Sequence, residues 1–427
     1  MESTITHIAE ILQEVLTVKA DQMARSSGFI KRERKFSGSS FAQTLVFGWL
    51  ANSSSTMEEL SQAAVNIGVE VSRQGIDNRF KAEAAQFMEC LVKEALRCSV
   101  QGKRVTTPIL SRFPKVYVAD ATVINLPDEL DDVWAACQGA GLKISLCWDL
   151  LHGDWETVHL HPAREHDQQA PFAFETMPEG ALVVRDLGYF KLKTFQALSD
   201  HGLYWVSRFK TGTVIYIKGE RIPLLDWLRQ QAQTTVDVAI ELGLTERVKC
   251  RLIAKPVPQA VLRQRQEQLK QWEGKKQQKA SAERWNLLGW SLYLTNAPHT
   301  LLDTQETETL IRSRWQVEKV FYWWKDDAEI DEWRTQNPWR ILCEIYAKLL
   351  ALLIQHWLMI SAEIHDVRRS TLQASRTIRK QAWHLAFVFD DLQLLVRVLR
   401  HLVKCLSVGC RISSSSTSPP TFQLFYP

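Results

Sequence analysis

Two hydrophobic periods alternate along the chain, and each change of period marks a change of structure. Residues 1–105 follow the helical period. Ile5 to Met23 predicts an amphipathic helix and Phe41 to Leu50 an apolar segment. Met57 to Val65 predicts a helix entered through Ser53-Ser54-Ser55-Thr56, with Glu58 and Glu59 in its first turn. A turn at Asn66-Ile67-Gly68-Val69 leads to Ser72, which caps a second helix through SRQGIDNRFKAEAAQFMECLVKEAL. Between 115 and 209 the period drops to two. Lys115 to Pro127, Leu142 to Leu150 and Trp155 to His161 predict three strands, with a short helix from Pro127 to Cys137. A polar helical stretch starting near Ala163 comes next, then a strand at Ala181 to Arg185, a helix at Tyr189 to Leu198 and a strand at Leu203 to Phe209.

Residues 210–295 interrupt that pattern. Strands are predicted at Thr213 to Lys218, Thr235 to Leu242 and Arg247 to Ala254, a charged helix at Leu262 to Trp285, and a strand at Leu287 to Thr295. The helical period returns at Leu310 to Lys325, Trp339 to Ile360 and Lys380 to Leu406. Arg368, Arg369, Arg376, Arg379 and Lys380 form a basic cluster, and the SSSSTSPP run near the end is low-complexity. Three strands, a helix, a strand, a helix and a strand is the order of an RNase H-like fold. The expected class is therefore α/β: an RNase H-like core with a mostly β insertion, flanked by helical N- and C-terminal regions. The expected parts are a helical DNA-binding region (1–110), the first part of the core (111–209), the β-rich insertion (210–295), the second part of the core (296–345) and a helical C-terminal region with a disordered tail (346–427).

Composition narrows the class without naming a partner. The 427 residues are 45% hydrophobic and 23% charged, as in a soluble globular protein. A net charge of +4 is too small for the whole-molecule field to announce nucleic acid, so DNA contact has to come from local patches. The eight cysteines include no CxxC pair and read as reduced thiols without a zinc site. MESTITHIAEILQEV carries acids and no unbroken apolar run, which argues against a signal peptide. Leu349 to Ile360 contains Gln355 and His356 and reads as a buried core helix, so no membrane partner is expected.

The candidate chemistry centres on Leu310 to Lys325. On a regular helix Arg314, Glu318 and Lys325 fall within roughly 40° of one another. Trp315, Val317, Val320, Phe321 and Trp324 would pack that rod down. A carboxylate suits a divalent metal, and flanking cations suit phosphate oxygens. Asp120 within the first core strand and Asp186 at the end of the fourth add two more acids to one α/β core. Three carboxylates are the donor set for two Mg²⁺ or Mn²⁺ ions in phosphodiester chemistry. The helix, Gly-containing turn and helix after Met57 have a helix-turn-helix outline, in which Arg73, Gln74, Asn78, Arg79 and Lys81 would face DNA. His152, His159, His161 and His166 lack a second ligand cluster of standard spacing and make a weaker metal candidate.

At these residues the sequence resembles the DDE transposases of bacterial insertion sequences, whose third motif reads Y-x-x-R-x-x-x-E-x-x-x-x-x-x-K. RWQVEKVFYWWK matches it at Arg314, Glu318 and Lys325, while VADAT around Asp120 and VVRDLGYF around Asp186 resemble the first two motifs. The motif's Tyr position falls on Ile311, which makes no polar contact, leaving Arg312 as a neighbouring substitute. The resemblance implies cut-and-paste transposition, with Asp120, Asp186 and Glu318 as catalytic and metal-holding residues. Arg314, Lys325 and Arg312 would grip phosphates, and a flipped base would meet Trp290 or Trp285. It further implies double-stranded DNA partners (terminal inverted repeats and target), a homodimer that pairs two ends, and a bacterial, cytoplasmic, nucleoid-associated protein. Two other readings keep the same acids or the same ancestry: an RNase H-like nuclease without strand transfer, and a transposase-derived DNA-binding protein without catalysis.

Overall fold

The computed structural model describes residues 2–32, 35–100, 102–104, 107–166, 174–231, 234–364 and 369–411. Its first elements are helical: α1 (Glu2–Glu14), a π-helical stretch (Val15–Lys19), α2 (Ala20–Ser26), α3 (Gly38–Ala51), α4 (Met57–Asn66), α5 (Arg73–Asp77) and α6 (Ala82–Ala95). Then come β1 (Val116–Leu126), β2 (Ala140–Asp149), β3 (Trp155–Pro162), β4 (Leu182–Arg185), α7 (Leu192–Asp200) and β5 (Tyr204–Arg208). The next segment holds β6 (Ile215–Ile217), β7 (Glu220–Ile222), α8 (Leu224–Arg229), β8 (Val236–Leu242), β9 (Val248–Pro256), α9 (Gln259–Lys276), α10 (Ala282–Asn286) and β10 (Trp290–Thr295). The last elements are α11 (Thr304–Ser313), α12 (Trp315–Tyr322), a π-helical turn (Trp323–Asp327), α13 (Pro338–Ser361), α14 (Thr371–Arg379), α15 (Ala382–Phe387) and α16 (Leu392–Val408). Ten strands join in the order β3-β2-β1-β4-β5-β10-β9-β8-β6-β7, which makes the chain a mixed α/β protein with flanking helices.

The described residues fall into two compact units, one within 2–104, 121–165 and 316–411, the other within 107–120 and 166–315. In the first, α13 is the core. Every residue from Ile341 to Ser361 is buried, and α3 and α6 pack along the helix. By length and composition α13 is apolar enough to cross a membrane, but 94% of its most apolar window is buried in protein. Beside it, β2 and β3 form an antiparallel hairpin next to the second half of β1. Lys348 of α13 is fully buried and fully used. Its ammonium lies 2.8 Å from Glu344 and donates to the carbonyls of Glu329 and Glu332 at 2.8 and 2.9 Å. Burial holds the Glu344 carboxyl above its ordinary pKa, outweighing the opposing pull of Lys348.

In the second unit β1, β4 and β5 are parallel, β10 is antiparallel to both β5 and β9, and β9, β8, β6 and β7 continue antiparallel. α11 packs on β4, β5 and β10.

Several predicted elements break where a buried side chain demands it. The helix expected from Ser72 stops at Asp77 and restarts at Ala82, because Phe80 turns inward to 3% exposure between the two. The helix expected over Lys380 to Leu406 is interrupted after Phe387, where Phe389 enters the core 5.3 Å from Phe47 and Asp391 caps α16. The charged helix ends early at Gln277, whose φ of 50° is left-handed. Pro127 to Cys137 holds only a 3-10 turn, Asp128–Leu130. The stretch after Ala163 turns rather than coiling into a helix as far as 166, and 167–173 lie outside the described residues, as do Arg368 and the SSSSTSPP run. β7 and α8 were not anticipated, being too short to show a period.

Removing the Lys348 ammonium leaves buried Glu344 without its cation and the Glu329 and Glu332 carbonyls without the bonds it donates. Lys348→Met should cost about 3–5 kcal/mol in chemical denaturation, and adding Glu344→Met should recover much of it. Equal stability of the single and double variants would show that the carbonyl contacts, not the ion pair, carry the effect.

Candidate active site

The backbone register brings two of the predicted acids together. Val116, Tyr117 and Val118 of β1 stand opposite Leu182, Val183 and Val184 of β4. Continuing that register by two residues sets Asp120 opposite Asp186, on strands that lie about 4.8 Å apart. The apolar residues before each acid are buried; the carboxylates are where the side chains first meet solvent, at 23% and 31% exposure. Asp186 is the first residue past β4 and opens a 3-10 turn, Leu187–Tyr189.

Two like charges at that spacing call for a cation, and Arg314 supplies it. Its Nη1 donates to Asp120 Oδ2 at 3.1 Å, and its Nε lies 3.3 Å from Asp186 Oδ1, with the side chain only 9% exposed. Arg314 reaches both because α11 ends at Ser313 and leaves it as the helix C-cap. α11 is itself pinned at its start. Asp303 and Glu306 form a capping box, and Arg112 forks onto Glu306 at 2.6 and 2.8 Å. Hard carboxylate oxygens that share one cation between adjacent strand ends are a donor set suited to Mg²⁺ or Mn²⁺. Among the described residues no group of three or more His, Cys, Asp or Glu side chains is gathered closely enough to hold a metal ion.

Glu318 belongs to the other unit, part-exposed on α12. Gln316, Val317 and Phe321 bury the inner face of that helix, followed by Trp323 and Trp324 of the π turn. The π turn is held by aromatics: Trp155 lies edge-on to Trp324 at 5.1 Å and stacks on His356 at 3.9 Å. The helix predicted over Leu310 to Lys325 is divided: α11 ends at Ser313, α12 runs from Trp315, and a π turn follows it. Arg314 is engaged by Asp120 and Asp186, and the extra residue in the π turn carries Lys325 out of phase. The Lys325 ammonium instead donates to the Val123 carbonyl at 2.8 Å and lies 3.6 Å from Asp331. Trp315, expected to pack, is 54% exposed, and Tyr322 is 66% exposed, so aromatics stand about one turn to either side of Glu318. Their spacing (i, i+3, i+7) was visible in the sequence, but Trp315 was read as core.

The other candidates are scattered. Ile311 is buried on α11 at 3% exposure, and Arg312 points outward and pairs with Glu308 at 2.7 Å. Arg73 and Gln74 are exposed at the start of α5, where they line an open depression of about 660 Å³ with Arg334 and Arg340; Arg79 is half-buried beyond α5. Trp290 is buried in β10 at 7% exposure, and half-buried Trp285 donates to Glu273 at 3.2 Å. His161 lies 2.7 Å from Ser145 and 3.2 Å from Glu165, and His152 lies 2.6 Å from Asp149.

Comparison with known proteins gives a consistent answer. A family model described as Transposase DDE domain matches residues 111–354. The transposase for insertion sequence element IS231F of Bacillus thuringiensis subsp. israelensis is 26% identical, over 94% of this chain and 89% of its own. That for IS231B of B. thuringiensis subsp. berliner is 24% identical over 89% and 84%, and that for IS1151 of Clostridium perfringens 21% over 94% and 92%.

Arg314→Gln should leave Asp120 and Asp186 facing each other without their shared cation. A loss of about 1–3 kcal/mol is expected in metal-free denaturation, reduced when Mn²⁺ is added. A loss of the same size with and without Mn²⁺ would mean that the two carboxylates do not take up the ion.

Proposed function

The chain belongs to the transposase DDE-domain family, and from that premise we propose that it excises and inserts an insertion sequence by phosphodiester hydrolysis and strand transfer. The observation that carries the reading is the pair Asp120 and Asp186, in register on parallel strands and bridged by Arg314. An RNase H-like core accounts for the arrangement: parallel β1, β4 and β5, an antiparallel β2–β3 hairpin, and α7 between β4 and β5. β6 to β9 with α9 and α10 are then the insertion.

Asp120, Asp186 and Glu318 would hold two Mg²⁺ or Mn²⁺ ions, which when bound activate the attacking oxygen and stabilise the leaving one. This chain's own groups do the rest. Arg314 keeps the carboxylates together and, once relieved of them, turns to the phosphate at the cleaved end. Lys325 and Arg312 add cations to the same strand, with Trp290 against an extruded base. Arg73, Gln74 and Arg79 bind the terminal repeat, with backbone phosphates supplying most of the affinity. Two copies of the chain hold the two ends of the element, and the freed 3′-OH attacks first the opposite strand and then target DNA.

The test is cleavage of a labelled duplex carrying the element's own terminal repeat. Cutting at the repeat boundary should require Mg²⁺ or Mn²⁺ and stop on chelation. Asp120→Asn, Asp186→Asn and Glu318→Gln should each lower the rate by about a thousandfold or more while binding persists. Cutting that survives Glu318→Gln would mean that another carboxylate completes the set. Tight binding without cutting by the unaltered protein would favour a DNA-binding relative that has lost catalysis.

A further inference from the structure

We propose that α14 and α15 carry a binding surface for an unpaired DNA strand. α15 has two unlike faces. Ala382, Leu385 and Ala386 are buried against the helical core. The other face puts Trp383 at 37% and Phe387 at 77% exposure, four residues apart and so stacked along one side of the helix. Immediately before them, α14 and its C-cap present Arg376, with 65% of its side chain exposed, and the exposed Lys380. Arg379 lies between these two and is committed to the fold. It donates to the Asp327 carbonyl at 2.8 Å and to Ser53 Oγ at 3.2 Å, and its guanidinium lies 3.7 Å from the Asp327 carboxylate. Arg376 keeps only a long contact to Asp327, at 3.8 Å.

Arg376, Arg379, Lys380 and Trp383 line an open depression of about 630 Å³, and Phe387 stands one turn further along α15. Asn52, Ser54, Asp326 and Glu329 supply hydroxyl, amide and carboxylate groups to its walls. Two exposed rings beside two exposed cations are the combination that stacks bases and tracks phosphates of a single strand without reading sequence. Wall carboxylates accept from base N–H groups, the N3–H of thymine included, a role they cannot take toward a phosphate. A duplex leaves Trp383 and Phe387 nothing to stack on, because its bases already stack on one another. A second copy of the chain covering the rings would also have to desolvate Arg376 and Lys380. An unpaired strand satisfies rings, cations and walls together. The inference rests on the reading of the chain as a DNA-cutting transposase, whose products include strand ends, and it adds to that reading a place in the first unit where such a strand is held.

The experiment titrates the full chain against fluorescein-labelled oligothymidine by anisotropy, over a range of salt concentrations. Trp383→Ala/Phe387→Ala should weaken binding by about tenfold or more. Arg376→Ala/Lys380→Ala should lower the slope of log K against log salt by about 1.4, the share of two phosphate contacts on a single strand. All four side chains are at the surface, and thermal melts check that the variants fold. Absence of binding by the unaltered protein, or unchanged affinity and slope in both variants, would overturn the proposal. So would a fall in sedimentation mass for the ring variant, since the rings would then be covering a second copy. Repeat cleavage run in parallel separates the two readings: if the unaltered protein cuts and the variants bind oligothymidine unchanged, only the strand-binding surface is lost. If the unaltered protein fails to cut but the variants lose oligothymidine, only the catalytic reading is.

Discussion

Two carboxylates on neighbouring parallel strands cannot choose their separation. The hydrogen-bonded register of β1 and β4 sets Asp120 opposite Asp186, and shifting either would slip every buried valine around them. At about 5 Å and an effective dielectric near 20, their repulsion is about 3 kcal/mol. The sheet therefore requires a cation at this point, and Arg314 meets the requirement from a helix that the rest of its unit holds still. The hold begins with the Asp303 capping box and the Arg112 fork, runs through α11 packed on β4, β5 and β10, and ends in a helix that stops one residue before the arginine. A site built this way keeps its two acids close together in the absence of any ligand.

The other unit solves a different problem, the fixing of a helix that carries a part-exposed Glu318. The outer face of α12 is committed to solvent, so the grip comes from the residues on its C-terminal side. The π turn buries Trp323 and Trp324 against Trp155, and Lys325 is tied to the backbone of β1. The chain leaving the turn is caught by Lys348, which donates to the carbonyls of Glu329 and Glu332. A buried ammonium is a costly anchor, and it is worthwhile here because one group meets Glu344 and both carbonyls at once.

The legible parts of the sequence are the local ones. Alternation marked β1 and a short apolar run marked β4, with an acid at the end of the buried part of each. Thr56 and Ser72 cap their helices through bonds within three residues. The partner of Arg314 was not legible. Helical spacing shows only near neighbours such as Glu318, four residues away, and is silent on Asp120, 194 residues away, which Arg314 reaches. That contact is made by where α11 lands on the sheet. The π turn was equally hidden, since it depends on tryptophans finding Trp155. Trp315 misled for the same reason: a large apolar ring on an amphipathic helix reads as core until the packing partner is known.

Ile311 and Arg312 show how a departure from a family motif is accommodated. At 3% exposure Ile311 is buried, where a hydroxyl would need a buried partner, so an aliphatic side chain is the better fit for packing. Arg312, one residue on, points outward and is held by Glu308 at 2.7 Å. Glu308 has a second cation, Lys255, at 2.8 Å. If Arg312 leaves for a phosphate, Glu308 is still neutralised, so little is lost by the exchange. A shared carboxylate of this kind keeps the arginine extended and ready while leaving it easy to release, and it does so at a position that the core does not constrain.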